Sequence, residues 1–296
     1  MLKSIAAACA LVLTIASAAA AAEERAPAEA TVTVSSPSDA PPTDVTSADA
    51  APADATDAGV NVSDTARYDT LADHHRWVFT LIPYAWTVRL DGSAAQFGFP
   101  ESPVSVGRDT LLDHFRAGFM LGGEARYDRF SIQGDVFAVR VDDLATPLPA
   151  TSRVDEVIAT LGGGYAFARG DNYQVDVIAG VRLWSTRNKL TFTSAAGPLA
   201  GHSLSDGDTW VDPYIGLRGE YQFTRRWYAL GYVKVGGGLG SGSDSMWDVM
   251  AGVGYIFYHR TSVLAGYRNA TVDYRNGAFI YDVTHQGPFV GLVVRF

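Results

Sequence analysis

Cysteine is almost absent: Cys9 is the single one in 296 residues, and it sits inside an apolar stretch near the N-terminus. A chain cut after that stretch has no disulfide, no thiol nucleophile and no thiolate metal site. Histidine is scarce as well, with six residues. No His-rich spacing, Ser/His/acid pattern or paired-carboxylate motif stands out, so no metal, cofactor or catalytic residue is expected. Long hydrophobic runs are missing too. The run from Ile5 to Ala18 falls short of the ~20 residues that a spanning helix needs. A basic stripe that could hold nucleic acid is also lacking, and the formal net charge is −9.

That charge is unevenly spread, and the chain divides into three segments. Residues 1–22 run from Lys3 through the apolar stretch to small residues, the order of a secretory signal cut near Ala22. Residues 23–75 are rich in Ala, Pro, Thr, Ser and Asp, and carry eleven acids (Glu23 to Asp73) against Arg25 and Arg67. Low hydrophobicity with high charge cannot offset the entropy of ordering, so this segment reads as a disordered acidic linker. With Lys3 counted in the signal, residues 76–296 are left near −1 and almost neutral.

From Arg76 the texture changes to period-two alternation, with no sustained helical spacing. Val211, Pro213, Ile215, Leu217, Gly219, Tyr221 and Phe223 share one face of a strand, and Asp212, Tyr214, Gly216, Arg218, Glu220 and Gln222 the other. The same holds for Arg116–Tyr127, Tyr173–Leu183 and Trp247–Phe257. These segments are long enough to cross a bilayer as tilted strands, at about 9–11 residues each, whereas strands of soluble proteins centre on about 5–6. Aromatic residues gather beside the tight turns at Tyr127–Phe130, Ala168–Asn172, Phe223–Trp227 and Tyr258–Thr261, as in an interfacial girdle. Trp86, Trp184, Trp210 and Trp247 are expected to form a second, looser girdle at the other strand ends. Longer connections are expected near 91–114, 143–153, 194–208, 238–245 and 275–284. Short turns on one side and long loops on the other predict an all-β fold: a closed antiparallel transmembrane barrel of about ten strands, with eight or twelve as alternatives.

The face opposite the apolar one is charged. Arg116, Glu124, Arg126, Asp135, Asp176, Arg182, Asp212, Arg218, Glu220, Lys234, Asp248, Arg268 and Arg295 are expected to line the lumen, with Gln133 as a neutral member. Seven cations against six carboxylates read either as a plug of paired charges or as the wall of a narrow passive channel for small solutes. His114, His202 and His285 are expected near the outer rim, close in sequence to Asp113, Asp206 and Asp282. A hydrolytic site there is one alternative function, and loop-mediated binding, as in an adhesin, is another. The glycine-rich run Gly236 to Asp244 has too few acids for a calcium loop and no lysine for a phosphate loop. It reads as the end of one strand, a flexible outer loop and the start of the next.

Some of these segments resemble a family of proteobacterial outer-membrane β-barrels of uncharacterised function. They are Trp77–Trp86 (WVFTLIPYAW), Trp210-Val211-Asp212-Pro213 with Gly216-Leu217-Arg218, and Gly236–Asp244 followed by Trp247 and Gly252-Val253-Gly254-Tyr255. Gly266-Tyr267-Arg268, Asp273-Tyr274, Tyr281-Asp282 and Gly287-Pro288 complete the resemblance. It covers Trp77 to Phe296, and implies an exported outer-membrane protein but no catalytic residue. It also implies that Val290, Leu292, Val294 and Phe296, one apolar face of the last strand, serve as the signal read by the barrel-assembly machinery. The partners implied are that machinery and outer-membrane lipid.

Overall fold

The computed structural model describes residues 76–296 apart from 145–149, 194–200, 239 and 241. The secretory signal and the linker expected over 1–75 lie outside the described residues. The alternating segments form strands β1 (Trp77–Trp86), β2 (Arg89–Ala95), β3 (Ser102–Val106), β4 (Phe115–Tyr127), β5 (Phe130–Leu144) and β6 (Ala150–Arg169). They continue as β7 (Tyr173–Phe192), β8 (Ser203–Gln222), β9 (Trp227–Gly236), β10 (Ser245–Tyr258), β11 (Thr261–Asn276) and β12 (Phe279–Arg295). A short helix, α1 (Arg108–Asp113), precedes β4.

All pairings are antiparallel. β1 pairs with β4 on one side and with β12 on the other, so β1 and β4–β12 close a ten-stranded barrel. Closure pairs the backbone polar groups along the whole circuit, which an open sheet in lipid cannot do. β2 and β3 stand outside this circuit. β2 runs on from β1 along the Ile280–Gln286 half of β12, and β3 folds back upon it. The connection expected over 91–114 therefore holds a hairpin and a helix. The long connection expected at 275–284 is instead a tight turn between Asn276 and Phe279, because Gly277 takes a left-handed φ of 60°.

Outward faces carry the apolar band. On β7, Tyr173, Val175, Val177, Ala179, Val181 and Leu183 point out, and the same face then turns to Ser185, Arg187 and Lys189. At ~3.3 Å per residue and a tilt of about 40°, the apolar part rises roughly 25 Å, the height of a bilayer's hydrocarbon core. β6, β7 and β8 have 20 residues each, so they continue roughly 20 Å beyond the band at the outer end. The start of β8 at Ser203 falls within the connection expected over 194–208 for this reason.

The second girdle is not formed as expected. Trp86, Trp184 and Trp210 point inward and are 3%, 1% and 3% exposed, while Trp247 alone of the four faces out, at 40%. Strand parity explains the difference: outward positions on β7 and β8 are odd-numbered, and Trp184 and Trp210 are even. The inward tryptophans join Phe137, Ile158, Ile178, Tyr214, Val272, Tyr274 and Tyr281 in a core that fills the outer half of the barrel. At the other end Tyr228, Leu230, Ile256, Leu264 and Val293 make a smaller core.

Inward glycines make room for the large side chains of these cores. A Cβ at Gly254 would fall on the Tyr228 ring. That ring is 2% exposed, and its hydroxyl is fixed 2.8 Å from Ser262 Oγ. Gly254→Val is expected to lower stability by about 1–3 kcal/mol through overpacking. Urea unfolding in phospholipid vesicles measures this, and an unchanged midpoint would show that Tyr228 has space to swing away.

Candidate functional site

The lumen is the place where charged side chains converge, and its layers follow from strand register. Lowest, next to the tight turns, Arg126 donates to both oxygens of Asp176 at 3.0 and 2.8 Å and to Glu124 at 2.7 Å. Arg218 also pairs with Glu124, and Arg295 donates to Glu220 at 3.1 Å. One level up, Asp248 is 0% exposed and takes Arg182 Nη2 at 2.5 Å, Arg268 Nη2 at 2.8 Å and Arg268 Nε at 3.1 Å. Asp135 accepts from the Tyr84 hydroxyl at 2.8 Å and from Arg268 at 3.4 Å. Paired charges of this kind compensate one another's desolvation, which an isolated buried charge cannot do.

Above the ionic layers the walls touch. Trp210 of β8 stacks on Tyr274 of β11, with centroids 3.9 Å apart and planes 3° from parallel. The Tyr281 hydroxyl of β12 donates to Glu156 of β6 at 2.7 Å. These partners lie three and four strands apart around a ring of ten, so the outer half is pinched shut by side chains from facing walls. At the outer end the segment after β2 closes over the mouth. Phe97 N–H donates to Asp206 at 2.5 Å and Asn188 pairs with Gln96, on strands opposite β12. Near this rim, burial alone would raise the Asp208 carboxyl. Hydrogen bonds from Asn276, Thr209 N–H and Tyr274 outweigh it and hold the carboxyl below its usual value. Burial, and then the Asp208 acceptor, push the Tyr274 phenol up to about 12.

Glu124, Arg126, Asp135, Asp176, Arg182, Arg218, Glu220, Lys234, Asp248, Arg268 and Arg295 occur at inward positions of their strands. Arg116 does not. Its side chain is 57% exposed and pairs with Asp143 at 3.0 Å on the outside of the rim. The register slips between Phe115 and Ala117, and this bulge swings Arg116 off the inward face. Asp212 faces inward but meets no cation among the described residues. It accepts Ser243 N–H at 2.7 Å and the Ser243 hydroxyl, and so holds Ser243 inside the barrel.

His285 is likewise not a rim residue. It is 0% exposed, and its Nε2 lies 3.0 Å from Glu156 Oε1 rather than beside Asp282. His202 is exposed and His114 half-buried, and His114 Nδ1 rests 2.7 Å from the Thr110 carbonyl of its own helix turn. Sequence reasoning missed Glu156, Tyr84, Tyr232 and Thr160 as lumen residues. The even-odd parity that places the inward arginines also marks them. Among the described residues no cluster of three or more His, Cys, Asp or Glu is arranged to hold a metal.

A ring of ten antiparallel strands, apolar outside and charged within, matches solved outer-membrane proteins. The fold is that of an outer-membrane β-barrel. The outer membrane protease OmpT from Escherichia coli matches with a TM-score of 0.50 and 13% identity, over 74% of this chain and 97% of that one. The translocator domain of the autotransporter NalP from Neisseria meningitidis matches at 0.36 with 13% identity, over 79% and 92%. The attachment invasion locus protein Ail of Yersinia pestis matches at 0.34 with 12% identity, over 75% and 99%. The likeness to OmpT is one of fold alone. No protein-family model matches the chain, and no curated protein does.

Proposed function

We propose that the chain is an exported, non-enzymatic protein of the bacterial outer membrane whose barrel is plugged and serves as a rigid structural element. The observation that carries this reading is the contact between facing walls in the outer half of the lumen, above two layers of paired charges. A solute travelling along the axis would have to part Trp210 from Tyr274 and break the Asp248 cluster. Outer-membrane lipid around the apolar band and the assembly machinery at Val290, Leu292, Val294 and Phe296 are the partners this reading requires. These four residues alternate on the outer face of β12, and Phe296 exchanges two 2.9 Å backbone hydrogen bonds with Phe79.

Planar-bilayer recording of the refolded protein tests the plug. A silent bilayer is expected, from protein whose folding is verified by heat-modifiable gel mobility. Discrete openings would make the lumen a conducting path and overturn it. The likeness to the protease OmpT gives hydrolysis little support in this chain, since His285 is sealed between Trp86, Trp184 and Tyr281. One observation favours a second role at the cell surface: β6–β8 and the β2–β3 hairpin form a collar well beyond the bilayer. Trimming that hairpin would separate the two readings, because a purely structural barrel would lose no binding.

A further inference from the structure

Between the ionic layers lies a space of about 120 Å³. A cavity of about 150 Å³ accepts a benzene molecule when its walls are apolar, so this one has room for a small organic molecule. Its walls differ in character. Ile82, Leu230, Met250, Leu264 and Phe289, from the continuous arc β9–β12 and β1, form an apolar side. Glu124, Asp135, Arg218, Lys234 and Arg268 supply the charges.

Three of those five are cations and two are carboxylates, and the pairing leaves one cation over. Glu124 is taken by Arg218, and Asp135 by Arg268. Lys234 faces Asp248 across the β9–β10 ladder. The oxygens of Asp248 are already engaged by Arg182 and Arg268, with the Tyr232 hydroxyl at 3.4 Å. Lys234 is 5% exposed, and its ammonium lies over the faces of Tyr232 at 4.2 Å and Tyr214 at 5.3 Å. An ammonium has three donors and no acceptor, and burying one without an acceptor is costly. Among the described residues no carboxylate forms a hydrogen bond or close ion pair with it.

We propose that this chamber binds a short-chain monocarboxylate, its carboxylate on Lys234 and its alkyl tail against Leu230, Met250 and Leu264. The anion completes the charge balance of the layer, and the apolar wall selects an organic acid over an inorganic ion. Glu124 and Arg218 also border a second, smaller space of about 30 Å³ toward Arg126 and Arg295. Parting that ion pair is the shortest way in, from the end that carries the tight turns. Such a dead-end site is compatible with a plug, so conductance and binding test separate claims.

The test is equilibrium binding of radiolabelled butyrate to the full chain folded in detergent, with sodium chloride and butylammonium as competitors. Saturable binding at one site per chain is expected, with at least tenfold weaker competition by chloride and none by butylammonium. Lys234→Met should abolish it. Leu230→Trp, which fills the chamber and keeps the lysine, should abolish it as well, so the claim stays open to refutation even where Lys234→Met does not fold. Absence of saturable binding, equal potency of chloride, or binding retained in either folded variant would each overturn the proposal.

Discussion

Asp248→Ala is expected to lose about 3–5 kcal/mol of stability, because it strands buried positive charge with no compensation. Asp248 and Arg182 are both 0% exposed, and Arg268 is 5%. The aspartate is the shared acceptor of both guanidiniums. Removing it leaves Arg182 with Thr160 Oγ1 at 3.0 Å and the Met246 sulfur, neither of which carries charge. Asp248→Asn keeps the shape and part of the hydrogen bonding, so its loss should be smaller. The unfolding midpoint in urea, read by tryptophan fluorescence in vesicles, measures both. An alanine variant within about 1 kcal/mol of the parent, the range of exposed ion pairs, would mean that water already reaches this layer, and the plug would be looser than its geometry indicates.

Trp210→Ala is expected to cost a further large amount, about 3–5 kcal/mol, the range for truncating a buried aromatic side chain. Trp210 is in ring contact with Tyr274 at 3.9 Å, Tyr281 at 5.9 Å and Trp184 at 6.0 Å, and so joins β7, β8, β11 and β12 across the lumen. A cavity at this position also connects the buried core to the rim, where Asp208 holds the Tyr274 hydroxyl at 2.9 Å. Hydrogen exchange of the Trp184 indole, which is 1% exposed in the intact barrel, should therefore accelerate sharply. Unchanged exchange with a lowered midpoint would show that the remaining rings close over the gap, and that the seal does not depend on Trp210.

Much of the barrel was legible because a membrane strand repeats one simple instruction, apolar out and polar in, along its whole length. Positions such as Val177 and Arg182 declare their faces by parity alone. The inward tryptophans obey the same rule: Trp184 and Trp210 hold even, inward positions of β7 and β8, and parity outweighs the interfacial preference of an aromatic ring. Other features gave no such signal. The bulge that throws Arg116 outward depends on a slip between Phe115 and Ala117, and nothing in the composition of that stretch announces it. The β2–β3 hairpin reads locally as a loop with short polar strands. It gains its place only by extending the ladder of β12.

The sequence by itself determined the closed antiparallel barrel, the near-balance of its inward charges and the apolar face of the last strand, since each follows from period-two alternation. Only the tertiary structure decided which inward residues meet. The pairs Arg182–Asp248, Trp210–Tyr274 and His285–Glu156 are 66, 64 and 129 residues apart in the chain or set on facing walls. Strand shear and the pinch of the outer half bring them together, and alternation along a single strand carries no information about what stands across the lumen.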